Sequence, residues 1–215
     1  MKNKTYKILI VILCLITLTG CGLNLKSASY EDICKYVTSS KRQMYNQINK
    51  GYKYYVPRNM NIRYVDDYNV IINGESEEYY LYVDVISYYN KSKMDYNVDK
   101  DIYYSHHIKG DDGLLNITKL SDSYLIVIQY NYAKIEVKVK ESEIKSAISN
   151  SLIILNSIKY NDDTIKAMLD EGVLSTNEKI VDVFADKKDD SSSLLEVEDD
   201  YVPEDEEDYD RDYIN

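Results

Sequence analysis

Lys134-Ile-Glu-Val-Lys-Val-Lys140 decides the fold class. Ile135, Val137 and Val139 fall on one face of an extended chain, and Lys134, Glu136, Lys138 and Lys140 on the other. Alternation of this kind reads as a half-buried antiparallel strand. Just after it, Ile144, Ala147, Ile148, Ser151, Leu152, Leu155 and Ile158 recur at helical spacing and form a wide apolar stripe. A strand with one apolar face followed by a helix with one apolar face calls for a sheet covered by helices.

Upstream, the pattern repeats in strand form. Tyr124 to Gln129 is rich in β-branched and aromatic residues, and Ile102–Ile108 and Leu114–Lys119 flank a Gly110-Asp-Asp-Gly113 turn. Glu78 to Ser87 reads as one strand, with Leu81, Val83 and Val85 on one face and Tyr80, Tyr82, Asp84, Ile86 and Tyr88 on the other. Tyr68 to Ile72 precedes it across the hairpin dipeptide Asn73-Gly74. Tyr52 to Val56 is a further strand, stopped by Pro57. Asn90 to Lys100 is polar and reads as loop.

Ser29-Tyr-Glu-Asp32 has the form of a capping box, and Ile33, Val37, Met44 and Ile48 follow at roughly helical spacing, so a helix is predicted over Tyr30–Lys50 with Gly51 as its stop. A shorter helix, Asp163–Asp170, ends at Gly172. The expected fold is α+β: an antiparallel six- or seven-stranded sheet packed against two main helices, in one domain over residues 29–172.

The chain has 215 residues and a formal net charge of −11. Residues 186–215 carry 14 acids and 3 bases, which leaves residues 1–185 neutral. The acidity therefore belongs to a tail, residues 173–215, expected to be disordered or loosely docked. Neither part has the basic footprint of a nucleic-acid partner. Three cysteines exclude a disulfide-stapled small fold, and seven glycines leave no glycine-rich phosphate loop.

The N-terminus carries an address. Lys2, Lys4 and Lys7 precede the apolar run Ile8–Leu18, whose eleven residues would span about 17 Å as a helix, short of the bilayer core. It ends in Leu18-Thr19-Gly20-Cys21, which resembles the bacterial lipobox. That resemblance implies a signal peptide over residues 1–20, cleavage before Cys21, a diacylglyceryl thioether on Cys21, a tether over residues 21–28, and a place on the outer face of a cell membrane. Two acyl chains make a stable anchor. Cys34 is then the one remaining thiol and reads as a small buried hydrophobe.

Two stretches are similar to the PsbP-like fold superfamily: Gly51-Tyr-Lys-Tyr-Tyr-Val-Pro57, a strand followed by proline, and the closing strand and helix that end in Leu155-Asn-Ser-Ile-Lys-Tyr160. Asn59-Met60 stand where that fold places an aromatic. The likeness spans roughly residues 51–160 and is one of topology. The whole chain is also similar to uncharacterised lipoproteins of AT-rich Gram-positive bacteria. Neither resemblance brings a catalytic residue, and the superfamily's accessory proteins imply a binding role.

Residue chemistry points the same way. His106 and His107, the two histidines, are adjacent on a strand and face opposite ways, a poor arrangement for one metal ion. Asp66-Asp67, Asp111-Asp112 and Asp162-Asp163 sit where turns and helix starts favour acids. No metal site, cofactor or catalytic set is expected, so the chain reads as a non-enzyme. There are 24 tyrosines, one phenylalanine and no tryptophan. Aromatics with a polar tip suit half-exposed surfaces. Tyr80, Tyr82 and Tyr88, on one predicted strand face, are the candidate contacts for an envelope protein or a wall glycan. The expected function is a non-enzymatic, membrane-anchored binding or accessory module. The alternatives are a small-ligand receptor for a transporter and a cell-envelope hydrolase.

Overall fold

The computed structural model describes residues 23–40, 44–94, 102–110 and 112–174. The predicted signal peptide, Cys21, Asp111, most of the 90–100 loop and the tail from residue 175 lie outside the described residues. The strands are β1 (Gln47–Asn49), β2 (Tyr52–Tyr54), β3 (Asn61–Asp66), β4 (Asn69–Asn73), β5 (Glu78–Val83), β6 (Tyr104–Ile108), β7 (Gly113–Lys119), β8 (Tyr124–Tyr130), β9 (Ala133–Val139) and β10 (Lys159–Tyr160). The helices are α1 (Tyr30–Ser39), α2 (Val85–Asn90), α3 (Ile144–Ser157) and α4 (Asp162–Asp170).

Seven strands form one antiparallel sheet in the order β3-β4-β5-β9-β8-β7-β6, and β1-β2-β10 form a second, three-stranded sheet. The fold is α+β with a seven-stranded antiparallel sheet, as the alternation predicts. The register builds the core row by row. Leu81, Ile135, Ile128 and Leu115 lie side by side across β5, β9, β8 and β7, and Tyr79, Val137, Ile126 and Ile117 form the next row. All eight are buried. α3 covers β8 and β9 with Ile144, Ala147, Ile148, Leu152 and Leu155, also buried. Each buried Leu, Ile or Val side chain contributes roughly 1.5–3 kcal/mol.

α1 lies against α3 and buries Ile33, Cys34 and Val37. Its start is the expected capping box: the Asp32 amide donates to Ser29 Oγ at 3.1 Å, and the Ser29 amide donates to the Asp32 carboxylate at 3.2 Å. Its end is a correction. The helix stops at Ser39, eleven residues before Lys50, because Ser40 turns extended and the Asn156 side-chain amide takes over the carbonyls of Val37 (3.2 Å) and Ser40 (3.3 Å). Met44 and Ile48 are not on its stripe. Ile48 lies in β1, and both are exposed.

Four other expectations change. The strand predicted to reach Ser87 stops at Val83, where the Asp84 carboxylate accepts the Ser87 amide at 2.7 Å and opens α2. Tyr88 is therefore helical. β2 ends at Tyr54, and Val56 is held instead by paired bonds to the Asn46 side chain, both 2.8 Å. β1, β3 and β10 are additional strands. The stretch expected as a tether is a docked turn from residue 23 onward. Leu23 and Leu25 pack on the core, Ala28 is buried, and the Lys145 ammonium donates to the Lys26 carbonyl at 2.9 Å.

Gly51 joins β1 to β2. Its φ is +80°, and a Cβ there would stand 2.8 Å from Ile165 of α4, so both backbone and space demand glycine.

Candidate functional site

The three candidate tyrosines do not share a surface. Tyr80 and Tyr82 lie on the face of β5 turned away from Leu81. Tyr82 is buried, and the half-buried Tyr80 hydroxyl donates to Glu78 at 2.8 Å. Burial, followed by that acceptor, pushes the Tyr80 phenol up to about 12. Tyr88 belongs to α2. Its ring stacks on Tyr160 at 3.8 Å and meets Tyr132 edge-on at 5.6 Å. Most tyrosines that the register turns inward are core: Tyr52, Tyr54, Tyr79 and Tyr124 are all buried.

The outer face of the large sheet also holds Lys134 and Glu136. Alternation puts them there as expected, yet both are buried and form an ion pair at 2.7 Å. Lys138, next on that face, is exposed.

A cleft of about 320 Å³ opens between α1 and the edge strand β6. Residues 31, 34, 35, 38 and 39 of one helix face form one wall, and residues 106–109 form the other. Tyr30 meets Tyr104 edge-on at 5.1 Å and fixes the two walls. Cys34 lines the floor. Burial raises its thiol to about 12, so it is a thiol rather than a thiolate nucleophile. His106 and His107 both reach the cleft, while Lys109 donates to the Tyr130 hydroxyl at 3.1 Å.

The three-stranded sheet presents a different surface. Asn49, Tyr52 and Tyr160 form one row across it, with Tyr52 buried. Ile48, Lys53 and Lys159 form the adjacent row, so their side chains point outward. Ile48 is 79% exposed, and Met44 and Tyr45 just before it are about half exposed at 54% and 49%. The Lys53 ammonium stands 4.1 Å above the Tyr45 ring. Apolar and aromatic side chains thus share one surface with two lysines. Sequence reading missed it by placing Ile48 in a helix. The signal was Asn49-Lys50-Gly51, a turn tripeptide leading straight into the Tyr52 strand.

Among the described residues, no cluster of three His, Cys, Asp or Glu side chains is placed to hold a metal ion, and no helix is long and apolar enough to cross a membrane. Neither a protein-family model nor a curated protein sequence matches the chain.

Proposed function

We propose that the chain is a lipid-anchored, non-enzymatic binding or accessory module on the outer face of a cell membrane. The observation that carries this reading is the outward face of the β1-β2-β10 sheet, where Ile48 and Tyr45 stand exposed beside Lys53 and Lys159. Exposed apolar side chains grouped in this way serve contact rather than folding. The lipobox-like Leu18-Thr19-Gly20-Cys21 supports the anchor, and the PsbP-like likeness over residues 51–160 supports the accessory role. Envelope proteins and wall glycans are the partners such a module would meet.

Two measurements test the reading. Cys21→Ser should abolish incorporation of labelled fatty acid, and unchanged labelling would remove the anchor. Crosslinking on intact cells from a photoreactive residue at position 48 should capture envelope components. The same residue at exposed position 138 gives the background, and indistinguishable captures would remove the binding role from this face.

A second reading, a small-ligand receptor, is favoured by the cleft between α1 and β6. Its walls combine Lys35 and Thr38 with His106 and Lys109 over a floor that includes Cys34. Shifts of the His106 and His107 ring signals in NMR spectra on titration of a candidate polar solute would support it.

A further inference from the structure

We infer that the outward face of the three-stranded sheet seats the body on an anionic lipid surface, as a second membrane contact independent of any acyl chain. The inference rests on the membrane-module reading and names the partner of its contact face.

The chemistry of the face selects this partner. An interfacial lipid surface accepts apolar side chains at the acyl boundary, aromatic rings at the headgroup level, and lysines whose stems lie along the apolar surface while their ammonium groups reach phosphate. The face supplies each of these. Ile48 is the most exposed large hydrophobic side chain among the described residues, at 79%. Tyr45 extends the apolar area. Lys53 stands beside Ile48 and Lys159 beyond it in one register row, both half-buried. Lys53 holds its charge over the Tyr45 ring, so cation and aromatic reach the same depth.

The fold stiffens this face from behind. Tyr52 and Tyr54 on the inner side are buried, and the Tyr55 amide donates to Ser157 Oγ of α3 at 2.8 Å. A rigid face loses little entropy on docking. The lysines of the face act on headgroups at close range, while charges beyond about 8 Å are screened at physiological salt.

The test uses the chain from residue 22 onward, so that neither the apolar run Ile8–Leu18 nor an acyl chain takes part. Co-sedimentation is measured with vesicles of mixed phosphatidylglycerol and phosphatidylcholine and with vesicles of phosphatidylcholine alone. Binding is expected to the anionic vesicles, several-fold tighter than to the neutral ones. Ile48→Asp should weaken it about tenfold through lost apolar insertion, and Lys53→Glu with Lys159→Glu by a similar factor or more. Circular dichroism confirms that the variants fold. Absence of binding to anionic vesicles, or equal binding by Ile48→Asp, overturns the inference. So does a dimer that Ile48→Asp dissociates without any change in vesicle binding, which would assign the face to a second copy. Labelling with fatty acid in the wild-type chain reports the anchor separately, so the two ideas fail independently.

Discussion

The outward faces of the two sheets reverse the usual rule in opposite senses. The large sheet buries a charged pair, Lys134 and Glu136, on the side away from its apolar rows. The small sheet leaves Ile48 in the open beside Lys53. Buried charge and exposed apolar area are both informative, because the first costs stability unless it is paired and the second leaves apolar surface that folding does not use. Inside the large sheet the answer is internal, one ammonium against one carboxylate at 2.7 Å. On the small sheet the fold itself supplies no answer to Ile48. One face belongs to structure, and the other is left for contact.

Alkali should produce the largest effect, acting on the inner faces that both sheets share. Burial raises the Tyr54 phenol to about 12 and also raises Tyr52, Tyr79 and Tyr160. In the unfolded chain these groups titrate near about 10. Their contribution is therefore complete below pH 10 and is lost as pH rises from there through 12. Each group costs up to about 1.4 kcal/mol per pH unit over that window. Unfolding free energies from denaturant titrations at pH 8 and pH 11 should differ by several kcal/mol, and equal values would mean that the tyrosines are not packed as described. Separate melting of the two sheets would show that they do not share one core.

Removing one member of the buried pair comes next. Glu136→Leu strands the Lys134 charge and should cost about 3–5 kcal/mol by chemical unfolding. Adding Lys134→Met should recover most of that loss. A double variant no more stable than the single one would show that the pair is not what the face depends on.

Two smaller effects sharpen the contrast. Ser29→Ala removes the acceptor at the head of α1, one wall of the cleft, and should cost about 1 kcal/mol. It should also let the Asp32 carboxyl, now held below its ordinary range by the Ser29 hydrogen bonds, titrate closer to that range in an NMR pH series. Ile48→Asp should change folding stability by under about 0.5 kcal/mol, because the side chain has almost no packing to lose. A large loss there would make Ile48 structural and erase the difference between the two faces.

The β7–β9 hairpins and α3 were legible because their faces are strongly unequal. Ile135 and Val137 cannot trade places with Glu136 without exposing the core, so the sequence alternates and the phase is plain. β3 was not legible for the converse reason. It is an edge strand, with Tyr64 and Val65 about half exposed and Arg63 paired to Glu78, and a surface strand has no buried face to impose period two. The α1 boundary failed because Met44 and Ile48 happen to continue the spacing of Ile33 and Val37, while the true stop depends on Asn156, a residue remote in sequence. Asp84 shows the same limit. Four residues beyond Val83, from Asp84 to Ser87, read as strand, but the local bond from the Ser87 amide to Asp84 turns the chain into α2. Of the contact face, the Ile48 turn was legible in Asn49-Lys50-Gly51, but the place of Lys159 was not, since it needs β10 laid beside β2 to bring Lys159 to Lys53.

The large sheet is made of two meanders, β3–β5 and β6–β9, joined where β5 meets β9. Each meander pairs neighbours in sequence and can form early. The seam cannot, because Val83 must wait for Ala133 and Tyr79 for Val137. A chain that emerges N-terminus first completes β3–β5 long before β9 appears. During that interval the inner edge of β5, Glu-Tyr-Tyr-Leu-Tyr-Val over residues 78–83, stands unpaired, a flat aromatic edge of the kind that recruits other chains. The delay before the last strand arrives is therefore the point at which this molecule most needs protection from self-association.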